Sequence, residues 1–343
     1  MEEEYSILEG VLRDFVAKYV ENASLKIENE NIPKEIIEAL AEQGYFSLVP
    51  PDGGETDMRA YSLVLRTIAR SSPSISVKLL LNNAFISLCT GNSAADDVSK
   101  GSKMGTVTFS DVILPRGQNG SLKMEGGKIT GERTFVLGSD SDYIITPVDS
   151  GELVLVKSGF SRVKELRKLG FRSIPFSTVK FSTENFEVLE KNGFDMMEKA
   201  YYDLSIPVAS IALGMTEAAL GKAVEYAKVR EAFDHHLKDF QPIAFDISEL
   251  SAQMGLISSY LSSLLKSKPS LREILFAKEL SLKLAKDASR SSLQVHGGYG
   301  YLEDFGIEKF YRDSMALSVL LHNEEKDMRR LSSEVFGDRA GFV

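Results

Sequence analysis

The hydrophobic period of this 343-residue chain changes twice, from helical to strand-like near residue 104 and back to helical near residue 190. In the first stretch Ile7, Leu8, Val11, Leu12, Phe15, Val16 and Tyr19 recur at three- and four-residue spacings, so they share one helix face. Pro33 stands where a second helix begins and Gly44 where it closes. Pro50-Pro51-Asp52-Gly53-Gly54 is a loop, and another helix is expected from about Met58 to Ala69. The middle stretch carries short β-rich runs at Thr106–Phe109, Tyr143–Ile145, Leu153–Val156 and Thr178–Phe181, separated by turn formers such as Gly117-Gln118-Asn119-Gly120 and Gly126-Gly127. The last stretch reads as long helices: one through Ile211, Met215, Ala218, Ala219, Lys222 and Tyr226, one from about Pro242 to Leu265, and one from about Leu271 to Leu293.

A chain of this length exceeds one ordinary core, so a multidomain α+β protein is expected. Its parts are an all-α N-terminal domain over residues 1–103, a small antiparallel β-barrel over 104–190, and a C-terminal up-down four-helix bundle over 191–343. The formal charge of −9 argues against a broad nucleic-acid surface, though not against a local basic site for a phosphorylated ligand. With Cys89 as the sole cysteine there is no intrachain disulfide and no thiolate cluster, which fits a reducing, cytoplasmic setting. No apolar run reaches about eighteen residues, so no membrane span is expected. The acidic start, Met1-Glu2-Glu3-Glu4, argues against a targeting peptide. Among the four histidines only His235 and His236 adjoin, and neighbours in a helix or turn point apart, so no metal is expected.

Two motifs in the last stretch carry chemistry. Arg230-Glu231-Ala232-Phe233 is followed by Phe240-Gln241, and Gln294-Val295-His296-Gly297-Gly298-Tyr299-Gly300-Tyr301 is followed by Glu308 and Tyr311-Arg312-Asp313. Taken singly, Arg230 reads equally well as a cation complementing a helix C-terminus, and Gly297-Gly298 as a helix cap and turn. Phe233 and Phe240 read equally well as core. Taken together, in this order and at this spacing, the two motifs resemble the paired signatures of acyl-CoA dehydrogenases. The order helices, strands, helical bundle is that family's domain order.

The resemblance implies FAD as cofactor, an acyl-CoA substrate and an electron-transferring flavoprotein as electron acceptor. It implies that Arg230, Phe233, Gln241, Gln294, Gly297 and Gly298 serve the FAD of a neighbouring subunit, and hence a homodimer or homotetramer. A guanidinium matches a pyrophosphate through two parallel hydrogen bonds, and paired glycines let backbone N–H groups approach a phosphate. In the middle domain Val107-Thr108-Phe109-Ser110-Asp111 takes the place of the family's longer glycine-containing loop, which makes Thr108 a cofactor candidate. Gly131-Glu132-Arg133-Thr134-Phe135-Val136-Leu137 resembles the segment that meets the flavin, with Phe135 placed to stack near it. Leu137 replaces a threonine whose hydroxyl would reach flavin N5.

The resemblance also implies a carboxylate that removes the α-proton while the β-hydrogen leaves as hydride. Eight residues after Asp313, where the family places that glutamate, stands Leu321, followed by His322 and Asn323. A three-residue shift brings Glu324 to the site, and Glu324 is the expected base. Asp203, beside Leu204 before the first motif, and His322 are the other candidates. Against Glu324 stands the plain reading of Glu324-Glu325-Lys326-Asp327 as a solvated charge run. The activity implied is oxidation of a CoA thioester to its 2,3-enoyl form. The alternatives are a flavin monooxygenase on the same scaffold and a catalytically silent FAD-binding subunit.

Overall fold

A computed structural model describes residues 2–115 and 117–337. Its first part is helical: α1 (Glu2–Phe15), α2 (Ser24–Asn29), α3 (Lys34–Glu42), α4 (Met58–Ala69), α5 (Pro73–Leu88) and α6 (Ser93–Ser99). Asp57 caps α4 by accepting the N–H groups of Arg59 and Ala60. Ser72 caps α5, Pro73 opens it, and every residue of α5 except Ser87 is buried. The expected apolar face of α1 is only partly correct. Leu12, Phe15, Val16 and Val20 are buried while Ile7 and Val11 are exposed, and after Phe15 the helix passes into a π-helical turn at Val16–Glu21.

The middle part comprises β1 (Gly105–Val107), a short α7 (Ser110–Ile113), β2 (Gly120–Glu125), β3 (Lys128–Leu137), β4 (Tyr143–Pro147), β5 (Leu153–Val156), β6 (Phe160–Glu165), β7 (Phe176–Thr183) and β8 (Phe186–Glu190). The expected antiparallel barrel is corrected here: among the described residues the strands form two separate four-stranded sheets, β1-β4-β5-β8 and β2-β3-β7-β6, and no closed barrel. One pair, β1 with β4, is parallel. The sheets pack face to face over Leu122, Ile129, Val136, Ile144, Val154, Val156, Val179 and Phe181.

The last part contains α8 (Gly193–Asp203), α9 (Ser205–Val229), a hairpin of β9 (Glu231–Ala232) and β10 (His235–His236), α10 (Gln241–Leu264), α11 (Leu271–His296), α12 (Glu308–Leu320) and α13 (Glu324–Phe336). The Gly193–Val229 stretch is long and apolar enough to cross a membrane, but 83% of its apolar window is buried within the fold, as in a core helix. At Gly214 a Cβ would lie 2.3 Å from the Arg66 carbonyl oxygen, so α9 crosses α4 at backbone contact. A reciprocal cap between Ser270 and Glu273 starts α11, and Gly297, at φ +57°, ends it.

Arg312 and Asp313 tie the three parts together. Arg312 pairs with Glu28 of the N-terminal part at 3.3 Å and with Glu308 at 3.0 Å, and donates to the Leu169 carbonyl at 3.3 Å. Asp313 accepts the Phe171 backbone N–H at 2.6 Å. A side chain at Gly170 would meet the Arg312 carbonyl oxygen at 2.4 Å, so the 169–174 loop seats directly on α12. Burial, reinforced by the Glu28 carboxylate, pushes the Asp313 pKa up to about 8.

Candidate functional site

Helices α9, α10 and α11 alternate in direction, which brings the C-terminus of α9, the N-terminus of α10 and the C-terminus of α11 to one end of the bundle. Two contacts fix that end. Tyr226, four residues before Arg230, stacks on His296, one residue before Gly297, with ring centroids 4.3 Å apart. The Ser291 hydroxyl bonds Asp246, joining α11 to α10. His296 Nδ1 lies 2.7 Å from the Ser292 carbonyl, and burial lowers the His296 pKa, so a neutral ring holds the stack.

Arg230, Phe233, Gln241, Gln294, Gly297 and Gly298 are all exposed at this end. Arg230 is extended just past α9, and its guanidinium has no ion-pair partner among the described residues. Phe233 and Asp234 form the hairpin turn, both at positive φ, which displays the Phe233 ring at 89% exposure. A Cβ added at Gly297 or Gly298 would meet nothing within 4 Å, so both glycines border open space. Gln294 lines a polar groove of about 420 Å³ shared with Asp246, Asp287, Arg290 and Ser291. This end thus offers a free guanidinium, unobstructed backbone and an exposed aromatic ring, a donor set suited to a pyrophosphate-bearing ligand.

In the middle domain Phe135 sits at φ +64° where the β3–β7 register breaks between Arg133 and Val136. A bulky residue in the left-handed region is strained, and its ring is 39% exposed beside Phe176. Thr108 is different. It is buried, and its hydroxyl lies 2.6 Å from Asp111 and 2.9 Å from the Thr146 hydroxyl, inside the domain. Leu137 is buried as well.

The expected position of the base lies toward the other end of the bundle. Leu321 is 3% exposed and belongs to the main hydrophobic core. Glu324 is exposed as the first residue of α13, so it does not occupy a dry pocket as an elevated-pKa base would. Asp203 is exposed too and pairs with Lys199 at 3.2 Å. His322 is buried, with Nε2 2.7 Å from Glu279 and Nδ1 3.3 Å from the Ser318 carbonyl.

Behind Leu321 lies a polar network that the sequence reading missed. Lys278 and Asp327, both essentially inaccessible, form an ion pair. Tyr201 donates to Asp327 at 2.9 Å and receives the Asn323 backbone N–H at 3.0 Å. The Asn323 side chain donates to the Ile113 carbonyl at 2.5 Å, which anchors this turn to the middle domain. Burial lowers the Lys278 pKa against the opposing pull of Asp327. Glu279, His322 and Asp327 bring three ligand-type atoms within 4.8 Å of one another, but the Lys278 ammonium already neutralises Asp327, so the cluster reads as an ion network. A signal existed in the sequence: Lys278 falls between Leu275 and Leu282 on the buried stripe of α11, where a cation needs an internal partner.

Comparison with known proteins is consistent across the chain. The acyl-CoA dehydrogenase N-terminal domain matches residues 2–94 and the acyl-CoA dehydrogenase C-terminal domain matches residues 191–331. A 3-(aryl)acrylate reductase of Clostridium sporogenes is 25% identical, with 97% of this chain and 98% of that protein covered. A subunit of the caffeyl-CoA reductase–Etf complex of Acetobacterium woodii is also 25% identical, with 92% and 94% covered. Butyryl-CoA dehydrogenase from Megasphaera elsdenii superposes with a TM-score of 0.83 at 21% identity, over 96% of this chain and 97% of that one.

Proposed function

This chain belongs to the acyl-CoA dehydrogenase family, and we propose that it is an FAD-dependent oxidoreductase acting on the Cα–Cβ bond of a CoA thioester. The observation that carries this reading is the bundle end where Arg230, the Phe233 turn, Gln294 and Gly297-Gly298 converge, exposed and with Arg230 unpaired among the described residues. Arg230 and the glycine pair would hold the pyrophosphate of FAD, and Phe135 would border its ring. Bound there, FAD supplies a two-electron acceptor for hydride. Because these residues face outward, they serve a cofactor shared with a second copy of the chain, in a homodimer or homotetramer. An electron-transferring flavoprotein is the proposed redox partner, in keeping with the Etf complex to which one relative belongs.

The direction of the reaction stays open in this reading between oxidation to the 2,3-enoyl thioester and reduction of it, since two of the relatives are named reductases. Proton transfer at the α-carbon is assigned to Glu324, three residues past the Leu321 that the count from Asp313 reaches; its exposure requires that a partner subunit or the substrate dry the site. A second reading, a silent FAD-binding subunit, draws on one observation: Leu321 fills the expected position of the base as part of the core. Anaerobic mixing of the FAD-loaded protein with saturated and 2,3-unsaturated CoA thioesters separates the two readings. Bleaching of the flavin band by a saturated thioester, or reoxidation of reduced flavin by an unsaturated one, supports the enzyme, and the Glu324→Gln variant should slow that step at least about a hundredfold. No response in either direction supports the silent subunit.

A further inference from the structure

The bundle end that bears Arg230 and Gly297 is built from two chain segments that leave their helices just after a shared contact. Tyr226 lies in the last turn of α9, and the Arg230 backbone N–H donates to its carbonyl at 2.9 Å. His296 is the last residue of α11, and the next N–H, that of Gly297, donates to the Gln294 carbonyl. The Tyr226 and His296 rings stack with centroids 4.3 Å apart and planes 26° from parallel. Each ring thus sits at the root of one half of the cradle, Tyr226 below Arg230 and His296 below the glycine pair.

Apolar packing alone does not fix the spacing of these halves. Val295 shares a small core with Ala223, Ala227 and Ile247, and burial of that kind has no preferred direction. Two stacked ring faces hold both a distance and a tilt. His296 Nδ1 is taken by the Ser292 carbonyl of its own helix at 2.7 Å, so the ring meets α9 through its face. Burial, with the Lys222 ammonium nearby, keeps that ring uncharged. The turn beyond the glycines closes on the same residue: a Cβ at Gly300 would lie 3.1 Å from the His296 Cβ and 2.7 Å from the Leu293 carbonyl oxygen. His296 is therefore held between Tyr226 and the turn it precedes.

We propose that His296 and Tyr226 are positioning residues of the FAD site: their stack sets the distance between Arg230 and Gly297-Gly298, so that the guanidinium and the backbone N–H groups reach one pyrophosphate together. This role presupposes the proposed reading of that end as the FAD cradle, and it is exerted through Arg230 and the glycines.

The test is a double-mutant cycle on FAD affinity, read by fluorescence titration of the full-length protein, with urea unfolding to confirm that each variant is folded. His296→Ala should weaken FAD binding at least about fivefold, whereas His296→Phe, which keeps a flat uncharged ring, should stay within about twofold of the wild type. In the Arg230→Ala background His296→Ala should cost less than about twofold, because no spacing is left to set. Tyr226→Ala carries the same cycle from the other side of the stack and serves if His296→Ala does not fold. Equal losses with and without Arg230, or no rescue by phenylalanine, would make the stack merely structural and overturn the proposal. An FAD affinity untouched by Arg230→Ala would overturn it together with the cradle reading.

Discussion

At the end of the bundle where α9 and α11 finish, Arg230 stands extended without an ionic partner among the described residues, and Gly297-Gly298 faces open space. Toward the opposite end, Lys278, Asp327, Tyr201, Asn323 and His322 answer one another's polar groups inside the protein. The contrast separates two uses of polarity. At the first end the Tyr226–His296 stack fixes the backbone while the Arg230 guanidinium makes no ion pair among the described residues. At the second end the Lys278–Asp327 pair and the Tyr201 hydroxyl are engaged within the fold, although one Asp327 carboxylate oxygen is left without a hydrogen bond among the described residues. The first region leaves a guanidinium unpaired at the surface; the second packs around Leu321 in the main core.

The largest expected effect sharpens the second half of that contrast. Lys278→Met leaves the Asp327 carboxylate buried without its cation, and unfolding in urea should show a loss of about 3–5 kcal/mol. The double variant Lys278→Met/Asp327→Leu should recover most of it, because well-packed apolar groups replace a buried pair at little cost. FAD occupancy per folded molecule should be unchanged in both. If Lys278→Met lost FAD but not stability, the network would be ligand machinery and the contrast would fail.

The next tests the first half. Arg230→Ala should weaken FAD binding by about 2 kcal/mol, roughly thirtyfold, by removing a charge-assisted partner of the pyrophosphate. The stability of the apoprotein should stay within about 0.5 kcal/mol, since Arg230 is exposed. Fluorescence titration of FAD and urea unfolding give the two numbers, and a reversed pattern would make Arg230 a helix-end cation instead.

A third expectation concerns α12, which carries the chain to Leu321. The Asp313 pKa is raised to about 8 in the folded protein, above its unfolded value. Folding therefore gains protons between those values, and the contribution of Asp313 is full below about pH 4 and is lost as pH rises through about 8. Asp313→Asn keeps an acceptor for the Phe171 N–H and does not ionise. Its stability relative to the wild type should improve by about 1 kcal/mol per pH unit between roughly pH 5 and 8. Parallel curves would show that Asp313 is ionised throughout.

These regions were not equally legible in the sequence. The motifs around Arg230 and Gly297 could be read because each is a short contiguous run of residues, so short-range order carries the information. The helix from Met58 to Ala69 and the strand Leu153–Val156 follow from local patterning alone. The two-sheet arrangement did not, because β1 pairs in parallel with β4, some forty residues away, and local alternation is silent about pairing partners. The Tyr201–Asp327 contact joins residues 126 apart, so Asp327 reads as one more charge in an exposed run until the fold buries it. Thr108 shows the converse: its place in the motif suggested a cofactor contact, and its hydroxyl faces Asp111.

The smallest expected effect is the sharpest on the glycines. Gly298→Leu meets nothing in the fold, so stability should change by less than about 0.5 kcal/mol while FAD binding weakens by about 1 kcal/mol or more. Equal FAD affinity would leave Gly298 a mere turn residue.

In the proposed reading the chain is a working flavin oxidoreductase that binds FAD at the Arg230 end and transfers a proton at Glu324. Anaerobic visible spectroscopy of the FAD-loaded protein against a panel of CoA thioesters tests it most directly. At least one saturated thioester should reduce the flavin band, or its 2,3-unsaturated counterpart should reoxidise the reduced band. A protein that binds FAD tightly, accepts electrons from dithionite and responds to no thioester in either direction would contradict it.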